Sequence, residues 1–402
     1  MPRPFHPGGL LAAGRSGAKL DETRRESPLP KTILLTPGPL TTSDATRAAL
    51  GRDWGSREGD FIAMSERVRR RLAALVHGAD THAAVPLQGA GTFAVEAAID
   101  TLVPRGGKLL VLVNGAYGRR AAEIARRMGR AVTVQEVPES RAADPDALDR
   151  ALADDPAITD VLLVHLETTS GLLNPLDAVA SAVHARGRRL LLDAMSSFGA
   201  VPIDLRRTPC TAVIASANKC LEGVPGLAFV IAETGHLAAM AGNAASTSLD
   251  LHAQWRGFEQ TSQWRFTPPT QVVAALDAAL DQLDAEGGVA ARGARYRRHC
   301  EMLVSGLRGL GFLTYLPPDL QGPVILTVRD PGEAWFRFEE LYDALHAQGI
   351  VLYPGKLTAE PSFRIGCIGA IVADDIARTL AAIGAFVAAR RPAQPAAPAA
   401  PG

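Results

Sequence analysis

Cysteine is scarce in this chain, and so is any excess of charge. The 402 residues contain four cysteines, Cys210, Cys220, Cys300 and Cys367, and these are widely spaced. Such spacing argues against a disulfide framework and a zinc site, and favours reduced thiols in a cytoplasmic protein. The 42 Lys and Arg residues balance 42 Asp and Glu. No net field therefore favours nucleic acid or a membrane surface as a partner.

Long apolar runs are also lacking, although apolar residues make up 47% of the chain. No run has the length that a membrane-spanning helix needs. The two ends lack the periodicity of packed segments: residues 1–30 are rich in Gly, Arg, Ser and Pro, and residues 389–402 form a Pro/Ala tail. We expect both ends to be disordered.

Between the ends, short apolar runs alternate with helical patterns. "KLLVLVNG", "AVTVQEVP", "DVLLVHLE", "RRLLLDA", "TAVIASA" and "GLAFVIA" read as strands. Runs that are apolar on both faces indicate a mostly parallel sheet with helices on both sides, an α/β fold. We assign residues 31–275 to a large cofactor-binding domain and residues 276–388 to a smaller α/β domain. In the helical pattern from Asp60 to Gly78, we expect Arg67 and the run Arg69 to Arg71 to form a solvated face.

One lysine stands in an unusual setting. In "SANKCLEGVPG", Lys219 follows a strand of small apolar residues and precedes two glycines. A poorly solvated lysine is costly unless it is paired or its pKa is lowered so that it acts as an amine. Asp193 ends the preceding strand, so both side chains reach the same sheet edge, where ligands of open parallel sheets bind.

A glycine turn adds an anion site. "LQGAGTF" leads from Gly89 to Gly91 into a helix whose free N–H groups, with the Thr92 hydroxyl, suit a phosphate. Read alone, the turn is as well explained as a helix cap, and Asp193 as a cap or an ion-pair partner. Together, a phosphate loop, a carboxylate for a ring nitrogen and a desolvated lysine match what pyridoxal 5′-phosphate requires.

Four further residues fit such a site. Tyr117 could stack on a pyridine ring, Thr168 supplies a hydroxyl at a strand end, and Thr267 lies in a turn before the long helix. Arg364 is a lone charge in the apolar strand "SFRIGCIG". A carboxylate clamp explains this arginine, and an edge-strand position is the alternative.

The segments "LLTPGPLTT", "QGAGTFAVEAAI", "VNGAYGRRA", "HLETTSGLLNP", "LLLDAMSSFG", "SANKCLEGVPG", "FTPPT" and "FRIG" resemble, in this order, the class V aminotransferases of fold type I. The resemblance covers Lys31 to Val387. The more specific pieces, "DWGSR", "YPGK" and the segment around the lysine, are typical of enzymes that act on 2-aminoethylphosphonate and pyruvate. The resemblance thus implies an aminotransferase that forms phosphonoacetaldehyde and L-alanine.

The resemblance also implies roles for the residues. Lys219 would carry the cofactor and move a proton, Asp193 would keep the ring nitrogen protonated, Tyr117 would stack on the ring, and Thr168 would lie near the ring oxygen. The phosphate would be bound by Gly91, Thr92 and Asn218, with Thr267 of the partner subunit in a homodimer. Arg364 would bind the carboxylate of pyruvate or alanine.

One position departs from the family pattern, and one substrate group still needs a partner. Ala90 stands where the family loop usually has a serine, which removes one phosphate hydroxyl worth about 1.5–3 kcal/mol. The phosphonate of the amino donor needs either a cation of its own, for which Arg57 in "DWGSR" is our candidate, or Arg364 acting in both half-reactions. A surface arginine that pairs with Glu58 or Asp60 explains Arg57 equally well.

Other readings remain open. An alanine– or serine–glyoxylate aminotransferase would use the same lysine and aspartate. A non-catalytic dimeric ligand-binding protein on this scaffold is disfavoured by the intact Lys219 and Asp193. A cysteine desulfurase needs a mobile loop cysteine, which is not expected of Cys300 in a helix or Cys367 in a strand, and a nicotinamide dehydrogenase needs a fingerprint that this chain lacks.

Overall fold

The computed structural model describes residues 32–357 and 359–392. The predictions of disorder for residues 1–30 and of a tail for residues 393–402 lie outside the described residues.

The helices and strands follow in chain order. The elements up to residue 233 are β1 (Ile33–Leu34), α1 (Asp44–Ala48), α2 (Gly59–Ala74), β2 (His82–Gln88), α3 (Gly91–Leu102), β3 (Lys108–Val113), α4 (Ala116–Arg127), β4 (Ala131–Glu136), α5 (Pro145–Asp154), β5 (Ile158–Val164), β6 (Leu166–Glu167), β7 (Leu172–Leu173), α6 (Leu176–Ala185), β8 (Arg189–Asp193), β9 (Ala212–Ser216) and β10 (Leu227–Glu233). The remainder are α7 (Thr234–Ala239), α8 (Leu251–Thr261), α9 (Thr270–Glu286), α10 (Gly288–Gly309), β11 (Ile325–Arg329), α11 (Phe338–His346), β12 (Ile350–Val351), β13 (Tyr353–Pro354), β14 (Ser362–Gly366) and α12 (Ala373–Arg390).

The main sheet has seven strands in the order β2-β10-β9-β8-β5-β3-β4. All neighbours from β9 to β4 pair in parallel, whereas β10 is antiparallel to both β9 and β2. The predicted α/β fold with a mostly parallel sheet is thus confirmed. The connection from β9 to β10, Ala217–Gly226, is too short for the crossover that a parallel strand needs. This short connection carries Lys219.

Both faces of this sheet are covered because side chains of a strand alternate between its faces. Leu190 and Leu192 of β8 belong to a core shared with α2, α6 and α9, whereas Leu191 belongs to a second core shared with α3 and α4. Strands covered on both faces are apolar throughout, which is the pattern seen in the sequence.

A smaller sheet, in the order β11-β14-β13, lies in the second part of the chain. β1 pairs in parallel with β12, so Ile33 and Leu35 join the core of this part rather than that of the main sheet. α9 is continuous across residue 275, and the boundary there stays a prediction. α12 extends to Arg390, two residues into the predicted tail.

The prediction that the arginines of α2 form a solvated face is wrong in part. Arg69 is buried: its guanidinium contacts Glu66, Glu259 and the carbonyl oxygen of Ala84. Arg67 and Arg71 form salt bridges with acidic residues of α9, and these salt bridges link α2 to α9.

Among the described residues, no helix has the length and apolar character needed to cross a bilayer.

Candidate active site

Lys219 lies in the turn after β9, where its amine is held by a remote loop. Its Nζ atom donates to the carbonyl oxygen of Pro37, at 2.6 Å. Burial lowers the pKa of Lys219 to about 8, and the charges of Arg364 and Lys356 act in the same direction. About a tenth of the amine is therefore uncharged at pH 7, and the uncharged amine is the form that attacks a carbonyl carbon.

Asp193 ends β8, next to β9, and lies behind the same cavity as Lys219. Burial raises the pKa of Asp193 to about 6, while the backbone N–H of Met195, 3.0 Å from Oδ1, opposes that rise. At neutral pH the carboxylate is mostly ionised. It can therefore hold a proton on a basic ring nitrogen.

The glycine turn delivers free backbone N–H groups to this cavity. Gly89 has a φ of +135°, and α3 begins at Gly91 with Ala90 as its N-cap. The alanine makes no side-chain cap, so the N–H groups of Gly91 and Thr92 remain available to an anion, whereas that of Phe93 donates to the Ala90 carbonyl oxygen. A Cβ atom on Gly91 would overlap the present position of the Met195 side chain, so Met195 would have to move.

A cavity of about 240 Å³ brings most of the predicted residues together. The predicted residues that line it are Ala90, Gly91, Thr92, Tyr117, Thr168, Asp193, Asn218 and Lys219. The Thr168 hydroxyl is buried and lies 2.8 Å from that of Ser196. Residues from five separate segments thus surround one cavity at the carboxyl ends of the strands, where ligands of open parallel sheets bind.

Arg364 lies on β14, the central strand of the smaller sheet, so the edge-strand alternative is wrong. Its Nε donates to the carbonyl oxygen of Pro354 at 3.0 Å, and its Nη1 to that of Thr168 at 3.4 Å. Burial lowers the pKa of Arg364. Because the ordinary pKa of a guanidinium is so high, the side chain stays charged and keeps donors for a carboxylate.

Arg57 and Thr267 lie elsewhere. Both are exposed and line a different opening, of about 330 Å³, together with Trp264 and Phe266. The described residues give Arg57 no ion pair with Glu58 or Asp60. Neither Arg57 nor Thr267 lines the cavity that contains Lys219 of its own chain.

A family model described as aminotransferase class V matches residues 41–372. The chain belongs to this family. The expectation drawn from the sequence motifs is thus confirmed, and the protein is an aminotransferase.

Relatives of this aminotransferase include proteins from two bacterial genera. A Burkholderia lata protein named 2-aminoethylphosphonate–pyruvate transaminase 2 is 55% identical over 84% of this chain and 90% of its own. A Pseudomonas putida protein named 2-aminoethylphosphonate–pyruvate transaminase is 51% identical over 87% of this chain and 95% of its own.

Solved structures share the fold of this aminotransferase. The pyridoxamine–pyruvate aminotransferase of Mesorhizobium loti superposes with a TM-score of 0.82 at 27% identity, covering 90% of this chain and 93% of that chain. The alanine–glyoxylate aminotransferase of a Nostoc species has a TM-score of 0.83 at 23% identity, covering 89% and 96%. The second likeness concerns the fold alone.

As a class V aminotransferase, the protein works with pyridoxal 5′-phosphate. The residues present fit this group. Besides the lysine, the carboxylate and the open helix start, the cavity holds the hydroxyl of Ser216, which is buried and has no hydrogen-bond partner among the described residues. A buried hydroxyl without a partner is costly, and a bound phosphate would satisfy it.

Two residues of the aminotransferase site, Ser216 and Arg120, are not among those predicted from the sequence. Ser216 ends β9, so the strand-end rule that selected Asp193 could also have selected it. Arg120 lines the cavity and contacts the Thr92 hydroxyl at 3.5 Å, with its guanidinium carbon 5.1 Å from the centre of the Tyr117 ring. Arg120 lies three residues after Tyr117 on α4, and residues with this spacing share a helix face, so the prediction for Tyr117 could have been extended to Arg120.

Proposed function

We propose that this aminotransferase transfers the amino group of 2-aminoethylphosphonate to pyruvate, giving phosphonoacetaldehyde and L-alanine. The observation that carries the proposal is the 55% identity, over 84% of the chain, to a relative that bears the name of this activity. The arrangement of Lys219, Asp193 and Arg364 supports it.

Each residue has a distinct task in the proposal. The cofactor, when bound, supplies an electron sink. Lys219 attaches the cofactor and, in its uncharged form, moves a proton to and from the carbon that carries nitrogen. Asp193 would keep the ring nitrogen protonated, the Tyr117 ring would pack on the cofactor ring, and the Thr168 hydroxyl would interact with the ring oxygen.

The phosphate of the cofactor is bound by the first turn of α3. Gly91 and Thr92 supply N–H groups and a hydroxyl, and Asn218 supplies a side-chain amide. Ser216, whose buried hydroxyl lines the same cavity, replaces the hydroxyl that Ala90 lacks. Arg120 adds a positive charge beside Thr92.

Arg364 binds the carboxylate of pyruvate and of alanine. A guanidinium presents two parallel donors that match the two oxygens of a carboxylate. The bonds to the carbonyl oxygens of Pro354 and Thr168 hold the guanidinium in one orientation, so little freedom is lost when the substrate binds.

A homodimer is part of the proposal, with Thr267 of the partner subunit completing the phosphate site. Two large apolar side chains support it: Phe93, in the first turn of α3, is 47% exposed, and Phe266, beside Thr267, is 53% exposed. Exposed aromatic residues next to functional loops are typical of subunit contacts. We also propose a cytoplasmic location, supported by the four free and buried cysteines.

Steady-state assays test the activity. The holoenzyme is given 2-aminoethylphosphonate with pyruvate, serine with glyoxylate, or alanine with glyoxylate. We expect the highest kcat/KM for the phosphonate, with alanine and phosphonoacetaldehyde formed in equal amounts. A higher kcat/KM for serine or alanine with glyoxylate would reject the proposal in favour of the glyoxylate-dependent alternative.

A further inference from the structure

Lys356 lies beside the active site and has no assigned role. Its Nζ atom lies 4.2 Å from the centre of the Tyr117 ring, and Tyr117 lines the cavity that contains Lys219. Within residues 32–357 and 359–392, Lys356 forms no salt bridge and no hydrogen bond. Among these described residues the half-buried ammonium contacts an aromatic face, and such a contact leaves its N–H donors free for a ligand.

The backbone fixes Lys356 next to the carboxylate clamp. Lys356 follows β13, which pairs with β14 so that Tyr353 lies opposite Arg364. The carbonyl oxygen of Pro354 accepts from Arg364, and the N–H of Gly355 donates to Ser362 at 2.9 Å. A Cβ atom on Gly355 would come within 2.2 Å of the Ser362 carbonyl oxygen, so the chain passes here only as glycine.

Positive charge is in excess near the cavity, so a ligand with more than one negative charge would be attracted there. Arg120 lines the cavity, whereas Arg364 and Lys356 lie near Lys219 without lining it, and the charges of both contribute to the lowered pKa of Lys219. The nearby carboxylates are already engaged. Asp193 accepts from the N–H of Met195, and the buried Glu167 accepts from Thr169 and from the N–H of Tyr117.

The two amino donors of the reaction differ in where their anion lies. In alanine the carboxylate is attached to the carbon that bears nitrogen. In 2-aminoethylphosphonate the phosphonate lies one carbon farther away and has three oxygens in a tetrahedral arrangement. If the amino groups of both substrates take the same position beside Lys219, the carboxylate and the phosphonate lie in different positions. A planar guanidinium suits the carboxylate, whereas an ammonium, a compact charge with rotatable donors, suits the tetrahedral group.

We infer that Lys356 binds the phosphonate group of the amino donor, next to the carboxylate position at Arg364, and thereby sets the preference for 2-aminoethylphosphonate. This inference rests on the proposed function. It gives the phosphonate a cation of the same chain, whereas Arg57 lies at a separate opening.

Binding of ethylphosphonate, which lacks an amine, tests the contact without turnover. The holoenzyme and its Lys356→Met and Lys356→Arg variants are titrated by calorimetry with ethylphosphonate and with acetate. For Lys356→Met we expect about tenfold to a hundredfold weaker binding of ethylphosphonate, the range for one hydrogen bond to a charged group. Acetate binding should change by less than about threefold, and Lys356→Arg should keep most of the ethylphosphonate affinity.

Kinetics with a charge-matched control complete the test. Lys108→Met removes one positive charge at the amino end of β3, away from the cavity, and should behave as wild type. In Lys356→Met, KM for 2-aminoethylphosphonate should rise while the half-reaction with alanine stays within about threefold of wild type. Equal losses with both amines, or an unchanged ethylphosphonate affinity, would overturn the inference.

The two proposals can fail separately. A wild-type enzyme that turns over 2-aminoethylphosphonate while Lys356→Met does so equally well would overturn only the role of Lys356. A wild-type enzyme without that turnover would overturn the proposed function, and a Lys356-dependent affinity for ethylphosphonate would then still support a phosphonate subsite. Loss of phosphonate affinity in Arg57→Ala, but not in Lys356→Met, would return the assignment to Arg57.

Discussion

The amine of Lys219 and the carbonyl oxygen of Pro37 lie 2.6 Å apart, although 182 residues separate them in the chain. The contact depends on the next residue, Gly38, whose φ is +111°. A Cβ atom there would lie 2.6 Å from Cδ of Lys219 and 2.9 Å from its Nζ. The segment "TPGP" therefore shapes the space in which the lysine moves.

Substitution of Gly38 by alanine should displace the lysine. The added methyl group cannot coexist with the present position of Lys219, and the positive φ adds about 1–2 kcal/mol of strain. We expect the apoenzyme to attach pyridoxal 5′-phosphate at least about tenfold more slowly, as measured by the visible absorbance of the bound cofactor. Gly51→Ala is the control, since no atom of the described residues lies within 4 Å of its added Cβ. Equal rates for the two variants would contradict this role of Gly38.

Attachment of the cofactor should depend on pH through Lys219. Its pKa of about 8 lies below the ordinary 10.5, so the uncharged, reactive fraction rises as pH increases and is half at about pH 8. The rate of attachment to the apoenzyme, followed from pH 6.5 to 9.5, should rise with that midpoint, a range chosen to bracket the shifted lysine pKa. A rate still increasing tenfold per unit at pH 9.5 would indicate an ordinary lysine and contradict the effect of burial.

Asp193→Asn should separate cofactor binding from turnover. The amide cannot keep the ring nitrogen protonated, so we expect turnover to fall by about a hundredfold or more, the usual scale for a positioned acid–base group. The cofactor should still attach, because Lys219 and the phosphate site are unchanged. Asp281→Asn, at a 71% exposed side chain of α9, controls for the loss of a carboxylate. Near wild-type turnover in Asp193→Asn would exclude the assigned role.

Two hydroxyl substitutions should change cofactor affinity in opposite directions. Ala90→Ser supplies a hydroxyl that donates to the phosphate, a hydrogen bond to a charged group worth about 1.5–3 kcal/mol, and should tighten binding. Ser216→Ala removes a buried hydroxyl that has no partner among the described residues. It should weaken binding about tenfold and stabilise the apoenzyme, because an unsatisfied group costs about 1–3 kcal/mol.

Equilibrium titration of the apoenzymes and their melting temperatures check both changes. The control Ser181→Ala removes an exposed hydroxyl whose hydrogen bond goes to the Asp177 carbonyl oxygen of its own helix. A Ser216→Ala variant that binds the cofactor as tightly as wild type would exclude Ser216 from the phosphate site.

The strands that form the main sheet could be predicted from the sequence, because burial on both faces leaves continuous apolar runs. β2, "HAAVPLQ", was missed, since alanines and a proline weaken the strand pattern. The antiparallel edge pair with β10 therefore went unpredicted. The pairing of β1 with β12 joins residues far apart in the chain, and no local pattern indicates it.

The site was predictable where a strand end carries a chemically distinctive residue. Asp193 and Lys219 end or follow neighbouring strands, so topology alone brings them together. Arg69, in contrast, has the sequence neighbourhood of a surface residue, and only the acceptors that the fold supplies allow its burial. Lys356 is similar, because its place over Tyr117 depends on the pairing of β13 with β14.

The most direct test of the account is a single half-reaction. The purified holoenzyme is mixed with 2-aminoethylphosphonate in the absence of pyruvate, and phosphonoacetaldehyde is measured against the amount of active sites. We predict one equivalent of phosphonoacetaldehyde per site, conversion of the cofactor to its amino form, and one equivalent of alanine once pyruvate is added, with none of these in Lys219→Ala. Conversion by serine but not by 2-aminoethylphosphonate would contradict the account.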